Sequence, residues 1–189
     1  MMPGMDYYAV HPSRGGDGPE GLLVEEFALD ADHVAVRLDS AGWSPRDGRW
    51  WPAARFSRAV RADPAVRRRV APLDRAGAAA LYARLGGGRL PAEAALRGGF
   101  RDGVPLPVAA PLRLTEDASR TYRVLFAGDL PPSAHPPLPA PASLRRLAAV
   151  AAWAVDVPAP AGDVAPVLRA VTATMRSAGL VPVTIERLS

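Results

Sequence analysis

Apolar and polar positions in the first forty residues follow a period of two. Tyr7 to Val10 reads as a short strand, and Leu22 to Leu29 and His33 to Leu38 as two more, joined by the polar corner Asp30-Ala31-Asp32. In the last of these, Val34, Val36 and Leu38 fall on one face, with Ala35 and Arg37 on the other. Pro12 to Gly21, with glycine at 15, 16, 18 and 21, reads as a turn-rich loop. Within Gly42 to Trp51, Pro45-Arg46-Asp47-Gly48 predicts a hairpin, because Pro45 presets φ and Gly48 tolerates positive φ.

The period then becomes helical. Pro52 opens a segment in which Phe56, Ala59 and Val60 share a stripe. Asp63-Pro64 caps a short turn through Val66 and Val70. Asp74 caps a longer helix, Arg75 to Leu85, ended by Gly86-Gly87-Gly88. Leu90 to Arg97 predicts one more short helix, and Leu112 to Leu114 with Thr121 to Phe126 a second strand pair turning at Glu116-Asp117.

Six prolines between Pro131 and Pro141 predict a semi-rigid extended linker. Beyond it, Ser143 caps a predicted helix with Leu144, Leu147, Ala148 and Ala151 inward. Asp163 caps another with Val164, Val167, Leu168, Val171, Met175 and Ala178 inward. Gly179 stops that helix, and Val181, Val183 and Ile185 form a closing strand, which Pro182 assigns to a sheet edge. The expected fold is α+β: an antiparallel N-terminal sheet, a helical middle, and a helix-helix-strand tail after the linker. The expected division is a main lobe over 1–130, a linker over 131–142 and a tail over 143–189 packed on that lobe.

Composition narrows the chemistry. At 189 residues and 49% hydrophobic content the chain can bury a core. With no cysteine, it has no disulfide, thiolate metal ligand or thiol nucleophile, and it fits a reducing compartment. All 23 basic residues are arginine, so mechanisms that need a lysine ε-amine are excluded. The arginine-for-lysine usage, with abundant Ala, Gly and Pro, has the look of a GC-rich bacterial coding sequence. Part of the arginine richness is therefore codon usage.

Charge is uneven: residues 1–50 sum to −5, residues 51–113 to +8 and residues 114–189 to +1, for a total of +4. An acidic head beside a basic middle fits internal pairing, a dipolar interface or a polyanion site. The N-terminus shows no basic and apolar leader, and the longest apolar stretch, Leu147 to Val155, falls short of the ~20 residues of a membrane span. The expectation is a cytoplasmic protein without a membrane partner.

Several motifs invite a functional reading. Gly16-Asp17-Gly18-Pro19-Glu20-Gly21 satisfies the dinucleotide pattern, but a strand follows it where that motif needs a helix N-terminus. His11, His33 and His135 lie too far apart in sequence for a di-histidine metal motif. Gly86-Gly87-Gly88-Arg89 follows a helix, whose C-terminal dipole opposes an anion, so it reads as a helix stop. No catalytic residue, metal or cofactor is assigned.

Two clusters remain. Trp43, Trp50 and Trp51 with Arg46 and Arg49 either pin a hairpin to the core or form a partner-binding surface. Adjacent Trp50 and Trp51 must point to opposite faces of a strand. Arg55, Arg58, Arg61, Arg67, Arg68 and Arg69 form either a solvated or internally paired exterior or a basic surface for a polyanion. The leading expectation is a non-enzymatic interaction protein with a protein partner or a second copy. The alternatives are nucleic-acid binding through the arginine corner beside the tryptophan hairpin, and a metal-independent enzyme working near Glu25, Glu26, Asp32 or His33.

Overall fold

The computed structural model describes residues 4–13, 15, 18–107, 119–131, 133–134, 136–160 and 162–188. The fold class is α+β. The chain divides into two compact units: one is Gly4–Phe27 with Arg37–Pro105, and the other is the described part of Ala28–Val36 with Leu106–Ser189.

The first unit is built on an antiparallel sheet of β1 (Asp6–Val10), β2 (Gly21–Leu29), β3 (Ala35–Trp43), β4 (Trp50–Pro52) and β5 (Val70–Leu73), in the order β4-β3-β2-β1-β5. Its helices are α1 (Ala54–Ala62), α2 (Pro64–Arg67), α3 (Arg75–Arg84) and α4 (Glu93–Gly98), and a two-residue strand, β6 (Val104–Pro105), pairs with β3 at Arg37 and Leu38. The register places Tyr7, Ala9, Leu22, Val24 and Leu73 on one face. With Ala41 and Trp43 they bury Ala78, Leu81 and Tyr82 of α3 and Leu96 of α4. Tyr8, Leu23, Glu25 and Gly21 belong to the opposite face, where Arg61 of α1 reaches Glu25. Both faces are thus used, which is why β2 is buried almost throughout rather than alternating.

Two of the aspartate caps form: Asp63 accepts from the Ala65 amide and Asp74 from the Gly77 amide. Gly86 and Gly88 close α3 at φ +89° and +76°. Val70, taken from the sequence as the end of a helical turn, instead opens the edge strand β5. Four residues, one of them Pro72, are too few to show a period, and pairing with β1 decides the outcome.

The second unit holds a four-stranded antiparallel sheet in the order β10-β7-β9-β8, made of β7 (Ser119–Ala127), β8 (Ser143–Leu147), β9 (Ala152–Pro160) and β10 (Val181–Arg187). One helix, α5 (Val164–Ser177), buries Val164, Leu168, Val171 and Met175. The helix expected after Ser143 is corrected to the β8–β9 hairpin, turned by a 3₁₀ turn at 148–150 and a left-handed Ala151. Its Leu and Ala spacing imitates a helical stripe. However, β9 has the period-two face Trp153, Val155, Val157 and Ala159 and pairs along β7, and Ser143–Leu147 pairs in turn with β9, so long-range pairing decides the outcome.

Asp163 stands at the α5 N-cap but makes no side-chain cap hydrogen bond. Pro182 lies in β10, an edge strand as expected, and a bulge between Pro182 and Thr184 breaks the alternation at Val183. The proline stretch connects β7 to β8 within this one sheet. Leu112 to Leu114, the turn at Glu116-Asp117, Gly16, Asp17 and His135 lie outside the described residues. No helix is long and apolar enough to cross a membrane among the described residues.

Candidate functional site

The hairpin predicted at 42–51 is the β3–β4 hairpin, with Trp43 opposite Trp50 and Gly42 opposite Trp51, and with Gly48 at φ +61° in its turn. Trp43 is buried and lies 4.5 Å from the Tyr82 ring, while Trp50 stacks on the same ring at 5.7 Å. These two tryptophans therefore fasten the hairpin to α3. Trp51 goes to the other face and lies directly over Gly42: a Cβ there would come within 2.2 Å of the indole. The indole N–H groups of Trp50 and Trp51 are buried without an acceptor, so packing rather than hydrogen bonding sets both rings.

Trp51 forms one wall of a groove of about 480 Å³ in the first unit. The floor is Val10, Gly21 and Leu23 of β1 and β2, and Phe56 of α1 is the facing aromatic. Gly21 is required here because any Cβ would meet the Trp43 carbonyl oxygen at 2.5 Å. Arg69 borders one part of the groove. Its guanidinium sits 5.5 Å over the Phe56 ring, donates to the His11 carbonyl at 3.0 Å and pairs with Glu20 at 3.1 Å.

Ser44, Pro45, Arg46 and Asp47 of the hairpin turn form another rim. There the Ser44 hydroxyl donates to Asp47 at 2.6 Å and accepts from the Asp47 amide. Arg46 is exposed and has no carboxylate partner among the described residues. The arrangement is a cleft with aromatic walls, a Ser44–Asp47 hydrogen-bonded pair on its rim and the exposed Arg46 guanidinium at its lip.

The arginine corner separates into two sets. Arg55, Arg58 and Arg68 are exposed, as is Arg49 of the hairpin turn. The other three are engaged: Arg61 forms a two-pronged pair with Glu25 at 2.9 and 2.8 Å, Arg67 donates to the Val60 and Arg61 carbonyls, and Arg69 is held as described. Burial opposes the charge on Arg61, but the Glu25 carboxylate more than offsets it and raises the guanidinium above its ordinary range. Arg97 holds Glu26 in the same forked geometry at 2.7 and 2.8 Å. The acidic head and the basic middle therefore meet inside one unit.

The carboxylates and histidine named as catalytic candidates are not brought together. Glu25 and Glu26 face different arginines, and Asp32 accepts from Arg120 and Arg187 in the second unit. His33 stands at φ +62°, while the Asp30 carboxylate accepts the Asp32 and Val34 amides. Among the described residues no group of three or more His, Asp or Glu gathers as a metal would need. Sequence reasoning left Phe56, Leu23, Val10 and Gly21 out of the candidate site. The available signal was that Phe56 belongs to a short amphipathic helix directly after the aromatic hairpin. Neither family models nor curated proteins nor solved structures give a match to this chain.

Proposed function

We propose that the chain is a non-catalytic binding protein that takes an extended apolar segment of a protein partner into the Trp51–Phe56 groove. The observation that carries this reading is the groove itself. About 480 Å³ accommodates a few side chains, most of its lining is apolar, with Glu20, Ser44, Arg46, Asp47 and Arg69 at its rim, and it is partly open to solvent. Small molecules favour enclosed pockets that bury most of their surface, whereas an open aromatic trough suits a peptide laid along it. Arg46 at the lip selects a segment carrying a carboxylate beside its apolar residues.

The test is selection from a displayed peptide library on the intact chain, followed by affinity measurement on Phe56→Ser and Arg46→Glu, both checked for an unchanged melt. Enriched peptides should be apolar with an acidic residue, weakened at least tenfold by Phe56→Ser and severalfold by Arg46→Glu. Peptides that bind both variants undiminished would overturn the reading.

Nucleic-acid binding is a second reading, favoured by the exposed Arg55, Arg58 and Arg68. The engagement of Arg61, Arg67 and Arg69 weighs against it, since it removes half of the basic cluster. Salt-reversible nucleic acid on the purified protein, lost in an Arg55→Glu/Arg58→Glu variant, would favour it over the groove. The pairing of Glu25 and Glu26 with arginines likewise weighs against their use as a general base.

A further inference from the structure

The second unit carries an open sheet edge. Among the described residues β8 is the end strand of its sheet and pairs with β9 alone, so alternate backbone N–H and C=O groups from Ser143 to Leu147 point away from the sheet. Its turn continues as Ala148, Ala149, Val150 and Ala151, all exposed, and Val150 is 63% exposed. An open edge ending in an apolar tip is a template for another strand.

The side chains of this edge specify what that strand must be. Leu144 and Leu147 are half-buried, and between them stand Arg145 and Arg146, both exposed. Arg145 reaches Asp156 at 3.2 Å, but that carboxylate is already held in a fork by Arg123 at 2.7 and 2.9 Å, so Arg145 is left under-neutralised. Arg146 lies 5.4 Å over the Trp153 ring and has no carboxylate partner among the described residues. A second copy is a poor occupant: the antiparallel register that pairs all five residues sets Arg145 directly opposite Arg145, and like charges opposite one another destabilise a ladder.

We infer that β8 receives an acidic strand from a partner protein by edge addition, with the partner pattern apolar–acidic–acidic–apolar opposite Leu147, Arg146, Arg145 and Leu144. The two acidic residues project to opposite faces, one to each arginine, and the pattern reads the same in either strand direction. A further apolar residue covers Val150.

The probe is a fluorescein-labelled octapeptide with a Leu-Glu-Glu-Leu core, titrated into the full chain by anisotropy, beside a Leu-Lys-Lys-Leu control. The acidic peptide should bind saturably, at least tenfold tighter than the control, and should slow amide exchange over 143–147. Arg145→Gln/Arg146→Gln should remove the preference and Arg145→Glu/Arg146→Glu should reverse it. Phe56→Ser, which tests the groove, should leave the protection over 143–147 unchanged. Equal binding of the two peptides, binding indifferent to both arginine variants, no protection over 143–147, or a concentration-dependent dimer with β8 protected would each overturn the inference.

Discussion

Replacing Arg61 by Met tests how far the first unit depends on its internal charge pairing. The Arg61 side chain is 10% exposed and Glu25 only 1%, and the guanidinium supplies both forked hydrogen bonds at 2.9 and 2.8 Å. Without it, a carboxylate remains in the sheet interior beside Tyr8 and Leu23 with its strongest partner gone. Loss of one member of such a buried pair costs about 3–5 kcal/mol. The contact of Arg61 with the Phe27 ring, at 5.9 Å, is lost as well. Against a typical domain stability of about 5–15 kcal/mol, this is about a fifth of the total or more.

Substituting both residues, Arg61→Met with Glu25→Met, removes the stranded charge. It should return stability to within about 1–2 kcal/mol of the parent, because apolar pairs of similar volume replace buried ion pairs well. Urea unfolding followed by tryptophan emission measures this: Trp43, Trp50 and Trp51 lie in the first unit, and a Trp153→Phe background silences the second. A loss below ~1 kcal/mol in the single variant, the scale of an exposed pair, would refute the reasoning. So would a double variant no more stable than the single.

Three further outcomes follow from the geometry. Gly42→Ala should destabilise the protein by about 1–3 kcal/mol through overpacking and shift its tryptophan emission, because the new methyl lies within 2.2 Å of the Trp51 ring; unchanged emission would contradict the placement of that ring. Tyr7 is pushed up to about 12, chiefly by burial and also by Glu93, which together overcome the opposing pull of Arg75. Its contribution is complete below the ordinary tyrosine range and is lost as pH rises toward 12. Absorbance titration at 295 nm should then show a late-ionising tyrosine that disappears in Tyr7→Phe. Asp156 is held below the usual carboxylate range, first by the Arg123 hydrogen bonds, so its contribution is present at neutral pH and is lost as pH falls through the depressed value. Asp156→Asn should lower stability near pH 6 and flatten the acid limb in melts followed down to pH 2.5.

Elements whose signal is local were legible in the sequence. Asp63 and Asp74 mark helix starts because a cap needs only the next three residues, and Pro45 with Gly48 fixes a turn within four. The α5 stripe repeats often enough over fourteen residues to exclude other periods. The β8–β9 hairpin was not legible because its identity depends on β7, more than twenty residues upstream, and because alanine fits either period. For β5 the deciding partner is β1, about sixty residues away.

The same distinction holds for the site. That Trp50 and Trp51 diverge follows from strand geometry alone, but which of them borders a groove depends on where Tyr82 and Phe56 arrive, and neither is a neighbour in sequence. The basic corner was harder still to read, since a run of arginines carries no mark of which will meet a carboxylate. Glu25 lies 36 positions from Arg61, Glu26 lies 71 from Arg97 and Glu20 lies 49 from Arg69. These pairs consume a share of the charge asymmetry between the first two thirds of the chain, so segmental charge overstates what is left for a polyanion. On the reading proposed above, the surplus that meets a partner includes Arg46 on the lip of the groove and Arg146 on the end strand β8, which no carboxylate reaches among the described residues, and Arg145, which shares Asp156 with Arg123, each beside apolar surface. A cation placed that way selects an acidic and apolar polypeptide more readily than a phosphate backbone, which needs a broad and continuous positive face.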